Sequence, residues 1–537
     1  MRDNSSCKVV GIGTIKLKIF DGVVRRLNDV RHVPDLKKNL ISLSSLDSKG
    51  YNYTLEGGVM KIIPYMKLCL LEYSMIEEGY SQITEIDFTG IFSPVVKHIL
   101  IRVLLGIMAM HILELDQLDV KTLFLHGEMF NLFLSVFSVA LFSLGFSLAA
   151  TFDVTKFGAV GNGQHDDSEA FLKAWNSVCG SSIGGIMVVP VKTYFLAPLV
   201  FEGPCKSSSI QVQIDGTLVA PKTRSGWKRC EGDTWIMFSQ VNGLHIHGNG
   251  KFDGQGLPWW NKLNFVYNHE VDNRRHGYLN IMQALRFSKC NNLQLNGLQH
   301  INPPKNHISI NDCNNVQVSN IEIHAPEKSP NTDGIDISSS TNVKITDSII
   351  SSGDDCFAIN SGCSDIFIEN VKCGPGHGIS VGSLGKDGSF ATVEGVFVQN
   401  CTLIGTSNGV RIKTWEGGKG YAKNIRFENI ILENVKNPII IDQHYCNGRH
   451  DCKKQANGVQ VSDVKYSNIK GTSATDQAIF FDCSDDVPCT DIVLDNIKIS
   501  LDKTSGSTDS VSAMCKNVEG TITLTSPNVA CLHTNHN

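Results

Sequence analysis

No long run of lysine or arginine occurs in the 537 residues, and 48 basic against 53 acidic side chains leave a formal net charge of −5. A protein that binds by neutralising phosphates needs a concentrated basic face, so nucleic-acid recognition of that kind is excluded. Charged residues are scarce at 19%, against 42% hydrophobic, which supplies a large core and excludes disorder as the dominant state. Cysteine is nearly missing from the first part: of 17, only Cys7 and Cys69 precede residue 150. The two parts therefore read as products of different redox compartments. Helix-period stretches also become rare after about residue 180, whereas 48 glycines and 25 phenylalanines point to a turn-rich, β-rich chain.

Just ahead of the cysteine-rich part, Phe130 to Ala150 has no charged side chain and ends in Ala149-Ala150, the small-residue finish of a secretory signal, with Met129 directly before it. A transmembrane helix is the alternative, since 21 uncharged residues can span a bilayer. The serines and the globular sequence that follows favour the signal, although the usual basic n-region is missing. Upstream, Val33-Pro34-Asp35-Leu36-Lys37-Lys38-Asn39-Leu40-Ile41-Ser42, continuing to Gly50-Tyr51, resembles the segment before the integrase of copia-type retrotransposon polyproteins. Phe92-Ser93-Pro94-Val95-Val96-Lys97, Gln117-Leu118-Asp119-Val120-Lys121-Thr122 and His126-Gly127 resemble part of their reverse transcriptase. Asp119 sits where that family keeps one metal-binding carboxylate. The Asp-Asp turn that supplies the other ligands is missing, and two-metal chemistry needs them together. Residues 1–128 are thus expected to be a non-functional remnant, irregular or partly disordered. Residues 129–150 form the signal-like segment and 151–537 the working domain.

From residue 151 onward, short Val, Ile and Leu strands alternate with Asn, Asp, Ser and Gly turns. Asn292-Leu293-Gln294-Leu295, Asn315-Val316-Gln317-Val318, Asn342-Val343-Lys344-Ile345 and Asp365-Ile366-Phe367-Ile368 start 23, 27 and 23 residues apart, with further copies at Asn424 and Asp491. A strand repeat of that length fits the coils of a right-handed, single-stranded parallel β-helix, an all-β solenoid whose coils bury apolar side chains only when stacked. A leucine-rich repeat has a similar period, but its Leu lattice and Asn ladder are absent. The amphipathic stretch Ser168 to Val178 predicts a short helix capping the first coil.

Four polar segments stand out on this lattice: Asn331-Thr332-Asp333-Gly334, Gly353-Asp354-Asp355-Cys356, Gly376-His377-Gly378 and Arg411-Ile412-Lys413. Asp333, Asp354 and His377 are 21 and 23 residues apart, about one coil each, which places them on one face of adjacent coils; the 34 residues to Arg411 fit a coil with a longer loop. Arg411 and Lys413 project to the same side of a strand. Three carboxylates, a histidine and two cations in one groove suit hydrolysis of an acidic sugar polymer. A glycosidase needs an acid for the leaving oxygen and a carboxylate that activates water or attacks the anomeric carbon. Burial and like charges would keep one carboxyl protonated, and the cations could hold a uronate.

In order and spacing these segments resemble the four signature motifs of the polygalacturonase family, pectin-degrading glycosidases with the same β-helix fold. The flanking Ser329-Pro330, Cys373-Gly374-Pro375, Ile379-Ser380-Val381-Gly382-Ser383-Leu384-Gly385 and Thr414-Trp415 extend the likeness, which runs from about Phe152 to about Cys531 and looks like the plant branch. The resemblance implies inverting hydrolysis of α-1,4 bonds between galacturonates, without a metal or other cofactor. Asp354 would be the general acid, and Asp333 and Asp355 would activate the water. His377 would support the acid, Arg411 and Lys413 would bind a galacturonate carboxylate, and Tyr445 would contact substrate. Inversion predicts carboxyl separations of roughly 6.5–9.5 Å.

The resemblance also implies disulfides Cys356–Cys373, Cys446–Cys452, Cys483–Cys489 and Cys515–Cys531, and hence secretion to the extracellular space or cell wall, with a monomer acting on pectin and no nucleic-acid or membrane partner. Asn400-Cys401-Thr402 is a glycosylation triplet. A pectate lyase, which uses Ca²⁺, and a non-catalytic pectin-binding β-helix are the competing readings.

Overall fold

Asparagine and aspartate enter the left-handed φ region at lower cost than other side-chain-bearing residues, and the repeats use them there. Asn292, Asn315, Asn342, Asp365, Asn424 and Asp491 have φ of 54°, 57°, 55°, 56°, 53° and 55°. Each leads into an apolar-x-apolar strand whose inward side chains are buried, such as Leu293 with Leu295 and Val343 with Ile345. Their amides stack from coil to coil: Asn315 Nδ2 donates to Asn292 Oδ1 at 2.6 Å and Asn342 Nδ2 to Asn315 Oδ1 at 3.3 Å. The chain does stack asparagines, then, but at left-handed corners of strands. Asn342→Ala is expected to lower stability by about 1 kcal/mol through its φ, and Asn342→Gly by less. Urea midpoints check this, and equal losses in the two variants would refute the backbone account.

The structure is a computed structural model; it describes residues 150–534 except 228–233, 261–282, 448–451, 453–454 and 503–509, together with four strands before residue 65. Three parallel ladders run along the coil. Two belong to a 24-stranded sheet, in which Asn291–Asn296, Asn314–Ser319 and Thr341–Thr346 pair in succession beside Gln299–Ile301, Glu322–His324 and Ile349–Ser351. The third is an 11-stranded parallel sheet. Its strands are β1 (Leu199–Glu202), β2 (Thr234–Ser239), β3 (Gln283–Ser288), β4 (Ile308–Asn311), β5 (Ile335–Ser338), β6 (Phe357–Ile359), β7 (Ile379–Leu384), β8 (Asn408–Thr414), β9 (Asn437–Asp442), β10 (Gln477–Asp482) and β11 (Ser512–Lys516). Crossovers between parallel strands wind right-handed, and the result is the expected parallel β-helix.

Helix α1 (Ser168–Cys179) covers the first coil and buries Phe171, Ala174, Trp175 and Val178. Cys179 at its end is bonded to Cys205, a disulfide the sequence reading did not foresee. The four implied disulfides are all formed. Cys290, Cys313, Cys363 and Cys401 are buried free thiols.

Within 1–128, Gly11–Lys18 pairs antiparallel with Val24–His32, and Tyr51–Glu56 with Val59–Pro64. Asp119 and the signal-like segment up to Ala149 lie outside the described residues. Among the described residues no helix is long and apolar enough to cross a membrane.

Candidate active site

Each polar segment is the turn leading into a strand of the 11-stranded sheet, or the strand itself. Ile335, Phe357 and Ile379 face one another in register on β5, β6 and β7. Asp333, Asp355 and His377, each two residues earlier, therefore share one rung position, and Asp354 lies one residue ahead of it. The sequence reading aligned Asp333 with Asp354; the backbone is offset by one. Close turn packing fixes that offset. Gly353 N–H donates to Thr332 Oγ1 at 2.9 Å, and a Cβ at Gly353 would strike the Ser329 carbonyl. The Asp354 carbonyl accepts from the His377 N–H at 2.7 Å and from Ser352 Oγ at 2.9 Å.

The two adjacent aspartates consequently face different partners. Asp354 Oδ1 lies 2.8 Å from His377 Nδ1 and accepts from the Asp355 N–H at 2.9 Å. Asp355 is buried: its Oδ1 accepts from Arg411 Nη2 at 2.8 Å and Ser380 Oγ at 2.9 Å, and its Oδ2 from Lys413 Nζ at 2.7 Å. Arg411 Nε also donates to Ser380 Oγ at 3.0 Å. Expected as uronate ligands, Arg411 and Lys413 are both engaged by Asp355, so an incoming carboxylate has to share them.

Burial would push Asp354 up, but the His377 hydrogen bond and charge, with Lys413 behind them, hold it below the ordinary carboxyl value. Asp333 goes the other way: burial, followed by the charges of Asp336, Asp354 and Asp355, raises it well above that value. Asp336, on β5, is pushed up to about 7 by burial, against the pull of Lys305. In the free protein the carboxyl that retains a proton to higher pH is therefore Asp333 rather than Asp354.

Ligand atoms of Asp354, Asp355 and His377 come within 4.8 Å of one another. For the Asp354–Asp355 pair that closest approach is shorter than the separation expected for inversion. Three such groups could surround a cation, but both Asp355 oxygens already carry Arg411 and Lys413, whose charges repel one. Tyr445 lies beside them, with Lys413 Nζ 5.2 Å from its ring centre and Trp415 packed edge-on at 5.3 Å. Sequence reasoning missed Ser380 and Asp336. Their alternation with Ile379 and Val381, and with Ile335 and Ile337, was the available signal that they face outward.

The model of glycosyl hydrolases family 28 matches residues 179–529. The chain belongs to this family. It is 48% identical over 415 residues to a protein of Arabidopsis thaliana named "probable polygalacturonase", covering 77% of this chain and 85% of that one. Another Arabidopsis polygalacturonase is 45% identical over 371 residues, 69% of this chain and 82% of its own length. Among solved structures, the endo-xylogalacturonan hydrolase of Aspergillus tubingensis superposes with a TM-score of 0.56 at 26% identity, over 70% of this chain and 97% of its own. Ahead of the family 28 match, residues 1–51 match the β-barrel domain of Pol polyproteins and 71–140 a reverse transcriptase family. The second match runs past Met129 into the signal-like segment.

Proposed function

We infer that the chain hydrolyses α-1,4 bonds between galacturonates of pectin or polygalacturonate, with inversion. The observation that carries this reading is the convergence of Asp333, Asp354, Asp355 and His377 beside Arg411 and Lys413 on three successive turns of one sheet in a family 28 chain. Asp354 protonates the leaving oxygen, and Asp333 and Asp355 activate water from the opposite face. His377 orients Asp354 and shares a proton with it. Arg411 and Lys413 hold Asp355 ionised and bind the galacturonate carboxylate, and Tyr445 lines the same stretch of groove. A bound sugar that displaces water from Asp354 strengthens the burial effect on its carboxyl, which is the direction a general acid requires.

Residues 151–537 form the enzyme in this reading, 129–150 a secretory signal and 1–128 a transposon remnant. Five disulfides among the described residues favour a cell-wall location, and the enzyme acts as a monomer. The purified full chain is expected to release reducing ends from polygalacturonate, to do so undiminished in excess calcium chelator, and to give no unsaturated sugar. Loss of activity in chelator with an unsaturated product would establish a lyase, and binding without release of ends a non-catalytic protein.

A further inference from the structure

The outward row of the 11-stranded sheet changes character beyond the catalytic turns. In register it runs Arg286, Ser309, Asp336, Ala358, Ser380 and Arg411, and then Ile440, Phe480 and Met514. The groove floor past β8 is thus apolar, and Met514 is 43% exposed. The parallel row two residues on continues from Lys413 through Asp442 and Asp482 to Lys516.

Around these last rungs three carboxylates gather on one histidine. His444 Nδ1 lies 3.0 Å from Asp482 Oδ2 and Nε2 3.3 Å from Glu416 Oε1, and its backbone N–H donates to Asp442 Oδ1 at 2.9 Å. A single imidazolium balances at most one of them. Lys516 is tied to Asp485 at 2.9 Å, and Arg411 and Lys413 to Asp355. Among the described residues the other cation beside the cluster is Lys386, whose Nζ stands 5.9 Å from the Trp415 ring centre, so a free galacturonate carboxylate placed here would meet three carboxylates whose neighbouring cations are already shared among them.

We propose that this end of the groove is a subsite for a galacturonate whose carboxyl is methyl-esterified. Esterification removes the charge that Asp442, Asp482 and Glu416 repel, and the added methyl finds the apolar floor of Phe480 and Met514. The subsite rests on the groove assigned above and sets which pectin the enzyme prefers. Rungs stand about 4.8 Å apart, so the selected residue lies a short, fixed distance from the cleaved bond.

The test compares the full chain with Asp482→Asn and Asp442→Asn on polygalacturonate and on pectin with half its carboxyls esterified. Removing one repelling charge is expected to lower the ratio of kcat/KM, esterified over unesterified, by about fivefold. Mass spectrometry of wild-type products should place methyl esters at one preferred distance from the new chain end, and each variant should weaken that preference. Should Asp482→Asn fail to fold for want of the His444 partner, Asp442→Asn and the wild-type ester map decide. An active enzyme with an unchanged ratio, or with esters randomly placed, overturns the subsite. A wild type inert on both substrates overturns the assigned activity instead.

Discussion

Asp354→Asn is expected to lower kcat on polygalacturonate by about 10²–10⁴-fold and to leave the thermal midpoint nearly unchanged. Asp354 is only partly buried, and its carboxamide keeps an acceptor for His377. The loss should depend on the leaving group. An aryl galacturonide whose phenolate departs unassisted does not need the proton, so the deficit there should shrink to about tenfold or less. Asp333→Asn should lose as much on the aryl substrate as on the polymer, because a water-activating carboxylate is needed for both. The comparison is informative because the free protein holds Asp354 low and Asp333 high. A leaving-group rescue in Asp333→Asn but not in Asp354→Asn would transfer the acid's role to Asp333.

The raised Asp333 also predicts the acid limb of the pH profile. As a base it must be ionised, so activity should climb with rising pH only above the ordinary carboxyl range, and fall again where the substrate-covered general acid loses its proton. The bell should be centred on the acid side of neutrality.

His300→Phe is expected to make the protein more resistant to acid unfolding by about 3 kcal/mol at pH 4 relative to pH 7. His300 is fully buried, stacked 4.6 Å from the Phe252 ring, and neither ring nitrogen has a hydrogen-bond partner. Burial lowers it from 6.5 to about 3. The unfolded chain therefore takes up a proton below about pH 6.5 that the folded chain refuses until about pH 3, and stability falls across that window by about 1.4 kcal/mol per pH unit. Phenylalanine keeps the stack and removes the titration. Asp336 works in the opposite sense: raised to about 7, it stays neutral in the folded protein while the unfolded carboxyl ionises, so it costs stability as pH rises from about 4 to 7. For that reason the measurement is the difference between variant and wild type in urea at each pH. Parallel curves would refute the histidine account. The core thus limits the enzyme at the low pH its acid requires.

Much of the β-helix was legible before any coordinates, because its coils demand local chemistry at a fixed period: a residue tolerant of positive φ, then an apolar-x-apolar strand. The corner residues Asn292, Asn315, Asn342 and Asp365 carried that signal, and helix α1 was readable from its apolar stripe. Cys179–Cys205 was not, since its partners belong to the helix end and the loop after β1, with no repeat to phase them. Ser380 and Asp336 were hidden for another reason. Each looks like an ordinary solvated strand residue until the neighbouring coil brings Asp355 and Arg411 against the first, and Lys305, Asp354 and Asp355 near the second.

The sequence by itself determined the solenoid and the set of acids, histidine and cations that its period brings onto one face, since both follow from residue type and a spacing of about one coil. Only the tertiary structure decided which of two adjacent aspartates faces His377 and which is clamped by Arg411 and Lys413. That choice depends on a one-residue offset between stacked turns, and the offset is set by contacts such as Gly353 against Ser329, between residues far apart along the chain.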